Sequence, residues 1–156
     1  MEKEEILTLA IKRLKEFKEE VGRLEASEED LEIKLGDSFI YFFKIYENSG
    51  NLKIFEENTD FLLGIKQIWN AFKHNQRIVL IQRIRPFILN DSKLNGTDVI
   101  MGKTTWREEI SQSGNKPKGT NSIAFYNHVQ PLDVSETLAK LISISENALK
   151  ELKATN

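Results

Sequence analysis

Wound into a helix, residues 61 to 77 sort into two opposed stripes. Phe61, Leu62, Ile65, Ile68, Trp69 and Phe72 gather on one side, and Lys66, Asn70, Lys73, His74 and Arg77 on the other. Successive helical residues turn by about 100°, so each set occupies a limited arc. Such a pattern cannot be satisfied by a strand, whose faces alternate every residue. It requires one apolar flank buried against other elements and one polar flank facing water.

Three further segments carry the same periodicity. Glu2 to Glu25 repeats Leu7, Leu14 and Val21, and Ala10, Phe17 and Leu24, at seven-residue spacing. This narrow seam suits antiparallel helix packing, or a pairing of two copies about a two-fold axis. Gly22 weakens its last turn. Ser27 with Asp30 starts a second helix, and Leu31, Leu35, Phe39, Phe42 and Tyr46 continue it. Gly36 lies inside that pattern and marks a candidate kink or break. The turn Asn48-Ser49-Gly50-Asn51 separates it from the striped helix, for which Asn58, Thr59 or Asp60 can serve as cap. The last helix opens at Pro131-Leu132-Asp133, with Asp133 and Glu136 at capping-box spacing, and buries Val134, Leu138, Leu141, Ile142, Ala148, Leu149 and Leu152.

Between the third and fourth helices the periodicity fails. The stretch from Arg77 to Ile84 is rich in β-branched residues and fits either a longer helix or a strand, and Pro86 ends any helix there. Phe87-Ile88-Leu89 and Val99-Ile100-Met101 flank a polar turn and predict a small hairpin. Residues 111 to 122 hold Gly114, Lys116, Pro117, Lys118 and Gly119 and read as an exposed loop. The expected architecture is therefore mainly α. It is a single domain over residues 1–156, a four-helix-type bundle with a β-hairpin or loop insertion at about 86–122, before the last helix. The insertion has too few apolar residues for its own core.

Composition narrows the chemistry. The chain has no cysteine, which excludes disulfides, thiolate catalysis and cysteine-ligated zinc. No apolar run approaches the ~20 residues of a membrane span. Met1 to Glu5 is charged and lacks the apolar core of a secretory signal, so the expected location is cytoplasmic and no membrane partner is expected. A net charge of −2 hides an asymmetry: residues 1–60 hold nine basic against sixteen acidic residues, and residues 61–118 ten against four. The basic middle can present a positive face, or it can pair with the acidic helices inside the fold.

The most chemically suggestive group is on the polar stripe. Asn70 and His74 lie one turn apart, so their side chains share a surface. Histidine exchanges a proton near neutral pH, and cations beside it can hold a phosphate or stabilise charge developing on it. The segment Trp69-Asn70-Ala71-Phe72-Lys73-His74-Asn75 resembles the signature of HEPN domains, helical bundles that are often dimeric and many of which are RNases of toxin–antitoxin or antiphage systems. Asn70 matches the family's polar position and His74 its histidine, while Trp69 stands where the family has arginine. The resemblance implies RNA or nucleotide handling without a metal or other cofactor. In its catalytic form His74 would be the general acid or base, Asn70 would orient the phosphate, and Arg77 with the phosphate-binding Lys66 and Lys73 would neutralise it. Read without the resemblance, the same stripe is also an ordinary solvated helix face.

Other readings compete with this one. His74 and His128 fit no tight zinc spacing even with Asp133 added, and no Gly-x-Ser-x-Gly occurs. Trp106, Arg107, Tyr126 and His128, with Lys103, Lys116 and Lys118, either form a base-stacking surface or pin the insertion through Trp106 and Tyr126 as apolar plugs. The seven-residue seam of the first helix points to a homodimer, and to a non-enzymatic helical interaction or adaptor module as the alternative function.

Overall fold

The computed structural model describes residues 1–23, 25–49, 51–84, 101–111 and 119–155. Among these, six helices and one pair of strands follow in the order α1 Lys3–Val21, α2 Glu28–Asn48, α3 Lys53–Glu57, α4 Thr59–Lys73, β1 Val79–Ile84, β2 Met101–Trp106, α5 Thr120–His128 and α6 Val134–Ala154. A 3-10 turn at Glu108–Ser111 follows β2. The protein is mainly α, and the long helices α1, α2, α4 and α6 supply most of its core.

Helix α1 packs on both α2 and α6. Of its seam residues, Leu7, Ala10, Leu14 and Phe17 are fully buried within the chain, Val21 is half-buried, and Leu24 lies outside the described residues. Helix α2 begins where its caps direct: the Ser27 hydroxyl accepts from the Asp30 amide at 3.1 Å, and Asp30 accepts from the Ser27 amide at 3.2 Å. It runs unbroken through Gly36, which is not a kink. A Cβ there would lie 2.6 Å from the tip of the Phe72 ring, so glycine provides the hollow into which α4 lays that ring. Asp133 caps α6, accepting from the Glu136 amide at 2.8 Å. The short helix α3 has no side-chain cap of its own. Glu151 of α6 substitutes, accepting from the Lys53 and Ile54 amides at 2.7 and 3.2 Å.

Residues 79–84 are strand rather than helix. They pair antiparallel with residues 101–106, Val79 opposite Trp106 and Ile84 opposite Met101. The expected hairpin had its first arm at Phe87-Ile88-Leu89, but β1 precedes Pro86. Residues 87–89 and 99–100 lie outside the described residues. Residues 120–122, expected as loop, open α5, while Gly114, Lys116, Pro117 and Lys118 lie outside the described residues.

The free edge of β1 is held by the acidic start of α2. Glu32 accepts from the Ile78 and Val79 amides at 2.7 and 3.1 Å, and Glu28 accepts from the Ile81 amide at 3.3 Å. The spacing explains the fit. Four helical residues rise about 6 Å and two strand residues about 6.8 Å, so glutamates at i and i+4 meet alternate amides of an extended chain. The guanidinium of Arg107 closes the cluster, 2.7 Å from the Glu28 carboxylate and 3.0 Å from the Val79 carbonyl. Part of the charge asymmetry is therefore internal pairing.

Burial pulls the Glu28 carboxyl upward, but the hydrogen bonds from Arg107 and the Ile81 amide, with the charges of Arg107 and Arg77, hold it below its ordinary value of 4.5. A depressed carboxylate contributes stability that is complete above its ordinary range and lost as pH falls through the lower folded value. Glu28→Gln is expected to destabilise the protein by about 1–3 kcal/mol at pH 7. In urea titrations the gap to wild type should narrow below pH 4.5. A gap that stays constant into acid would show that the Glu28 charge does not hold the strand.

Candidate functional site

The polar stripe of α4 is built on a packed apolar flank. Phe61, Leu62, Ile65 and Ile68 are buried, and Trp69 and Phe72 are half-buried against the core. Trp69 lies between two rings in nearly parallel array: Phe43 of α2 at 5.5 Å and 7°, and Phe72 at 5.6 Å and 10°. Trp69 is thus a packing residue joining α4 to α2.

Helix α4 stops at Lys73, not at Arg77. His74 takes the C-cap position and Asn75 turns left-handed with φ 60°. The Gln76 amide returns to the Ala71 carbonyl at 3.0 Å, and the Asn75 amide to the Phe72 carbonyl at 3.0 Å. These are the two bonds of a Schellman stop, which commonly uses glycine and tolerates asparagine. Sequence reasoning missed this terminator, although an asparagine at the end of an amphipathic pattern was its available signal.

The stop divides the five stripe residues. Asn70, Lys73 and His74 remain together on the last turn, with Lys73 and His74 exposed and Asn70 half-exposed. The Lys73 ammonium lies 5.9 Å from the Trp69 ring centroid, a cation–π distance. Neither Lys73 nor His74 forms an ion pair with another described residue. Arg77 leaves the helix and stands 3.5 Å from Glu29, an exposed pair of little energetic weight. Lys66 lies about 10 Å down the axis from Lys73, in a cleft with Glu47 and Glu56. It does not belong to the group at the helix end.

The second group, centred on the insertion, separates as well. Trp106 is 3% exposed and donates from its indole nitrogen to the Thr137 hydroxyl at 2.8 Å, so it is a plug fastening β2 to α6. Arg107 is engaged by Glu28, as above. Tyr126 is 53% exposed and plugs nothing. His128 faces Asp60 at 3.9 Å, by the first turn of α4, whereas His74 ends that helix. The two histidines are therefore about 20 Å apart and cannot share a metal. No helix among the described residues is long and apolar enough to cross a membrane.

Chemically, the end of α4 offers one ammonium, one imidazole and one carboxamide on a single turn. That set can bind a phosphate. It lacks the fixed second cation that would stabilise a pentacoordinate phosphorane. No protein-family model matches the chain, and comparison with curated proteins and with solved structures finds no match.

Proposed function

We propose that the protein is a HEPN-like helical domain that binds RNA or a nucleotide through the end of α4, and that it binds rather than cleaves. The observation that carries this reading is the exposure of Lys73 and His74 side by side on the last turn, with no ion pair to another described residue. Cleavage by an RNA's own 2′-hydroxyl would need, beside the base and the Lys73 ammonium, a second fixed cation on the same phosphate. Arg77, three residues past His74, is drawn toward Glu29, and the family's arginine position is occupied by the stacked Trp69.

Binding of a labelled single-stranded RNA, followed by anisotropy across a salt series, tests the reading. Affinity should fall as salt rises, and Lys73→Met should reduce the slope of log affinity against log salt by about 0.7, the contribution of one phosphate contact. No binding at low salt would sink it. Transfer RNA incubated in EDTA with wild type and His74→Ala decides between binding and chemistry. Cleavage lost in the variant would restore the metal-independent RNase of a defence or toxin system.

A second reading, a non-enzymatic interaction module, rests on Ile33 and Ile40 of α2. They are 62% and 44% exposed and lie seven residues apart on one face. With the α1 seam buried, this is the more accessible apolar surface for a partner or a second copy.

A further inference from the structure

The cleft that holds Lys66 combines charges of both signs with aromatic rings. It lies where the end of α2, the short α3 and the middle of α4 converge, has a volume of about 330 Å³, and is lined by Tyr46, Glu47, Phe55, Glu56, Thr59 and Lys66. This is within the size range of small-molecule sites. Its floor is aromatic and fixed. Tyr46 meets Phe55 edge-on at 5.4 Å and 76°, and Phe42 stacks beneath Tyr46 at 5.9 Å and 14°. Phe55 is 3% exposed, so the floor cannot swing away. Its position is set by Glu151, which anchors the first turn of α3 from α6.

Around that floor stand charges of both signs. None of Glu47, Glu56 and Lys66 is within ion-pair distance of another described residue, and they do not neutralise one another. Two carboxylates disfavour an anionic ligand, and the Lys66 ammonium in the same cleft disfavours a simple cation. A molecule carrying both charges satisfies all three groups. The aromatic floor adds a place for an apolar body beside the ammonium, where ring faces also attract cations. Burial raises the Tyr46 hydroxyl above its ordinary value of 10.0.

We propose that this cleft binds a small zwitterion of the α-amino-acid class, its carboxylate on Lys66, its ammonium on Glu47 and Glu56, and its side chain over Tyr46 and Phe55. The site is independent of the RNA reading, because Lys73 and His74 lie beyond it and neither is needed.

The test is a titration of the isotopically labelled full chain, monitored by amide resonances, with three matched probes: L-phenylalanine, phenethylamine without the carboxylate, and 3-phenylpropanoate without the ammonium. Saturable shifts at Tyr46, Glu47, Phe55 and Lys66 are expected with L-phenylalanine, and binding about tenfold weaker or worse with each single-charge probe. Lys66→Met should abolish the preference over phenethylamine. Glu47→Gln with Glu56→Gln should abolish the preference over 3-phenylpropanoate. These side chains reach solvent, and dispersed spectra would show that the variants stay folded. No saturable shift at the cleft with ~10 mM L-phenylalanine would overturn the proposal. Equal binding of either single-charge probe to wild type would overturn it too, making the cleft a plain cation or anion site.

Discussion

Gly64→Val is expected to destabilise the protein by about 3 kcal/mol or more, the upper range for overpacking a filled core. Helices α4 and α5 are drawn together at this residue. A Cβ at Gly64 would lie 2.6 Å from a methyl of Val129, 3.1 Å from the Phe125 Cα and 3.2 Å from the Ala124 carbonyl oxygen. The Val129 methyl can move only into its own buried surroundings, since Val129 is 0% exposed. The other two atoms are backbone of α5, so relief requires the whole helix to shift. Gly64→Ala separates the terms. Alanine gains about 1 kcal/mol of helix propensity over glycine, and the contact must outweigh that gain. Urea unfolding of both variants should rank wild type above alanine and alanine above valine. An alanine variant more stable than wild type would mean that α5 does not press on α4 as described.

Trp106→Ala should cost about 3–5 kcal/mol, because it empties the largest side chain that fastens the sheet to the bundle. Trp106 is the last residue of β2, opposite Val79, and its indole reaches α6 at Thr137. Its removal leaves a void under both strands and breaks the one side-chain hydrogen bond that joins β2 to α6 among the described residues. Trp106→Phe should be milder, at about 1–2 kcal/mol. The ring still fills most of the space, and the Thr137 hydroxyl still donates to the Asp133 carbonyl at 2.8 Å. Thermal unfolding measures the ordering. Hydrogen exchange adds location: the amides of β1 and β2 should lose protection before those of α1 and α6. Uniform loss across the molecule would show that the sheet is not a separable layer.

The two substitutions probe what the chain pattern conveys unequally. Trp106 was readable as a plug or as a stacking platform, and only its burial against Thr137 decided between them. Gly64 gave no signal at all. A glycine inside a helical pattern is explained by the neighbour that needs the space, and the sequence pattern assigns α5 no helix, its first three residues reading as loop. Its nine residues from Thr120 to His128 bury Ala124 and Phe125 but carry little amphipathic periodicity.

The long helices were legible because their determinants are local. Ser27 and Asp30 form the full capping box, Asp133 caps the Glu136 amide, and Leu7, Ala10, Leu14 and Phe17 of the α1 seam are buried, all interactions set by spacing over one or two turns. Val79-Leu80-Ile81 was ambiguous for the opposite reason. Strand and buried helix both accept such a run, and the choice depends on groups far along the chain. Glu28 and Glu32 are about fifty residues before it and β2 about twenty after it. Gly36 read as a break for want of Phe72, its partner across the α2–α4 contact.

The candidate site divides along the same line. That Asn70, Lys73 and His74 share one turn follows from helical spacing, a property of the sequence alone. That Arg77 is not with them follows from Asn75 turning left-handed and from the β1 strand that starts at Val79. That Lys66 belongs to a cleft with Glu47 and Glu56 follows from where α2 and α3 lie beside α4. Periodicity assigns a residue to a face of its own helix, because that geometry repeats every 3.6 residues. Which groups stand opposite that face depends on contacts between distant segments, and for those only the tertiary structure could answer.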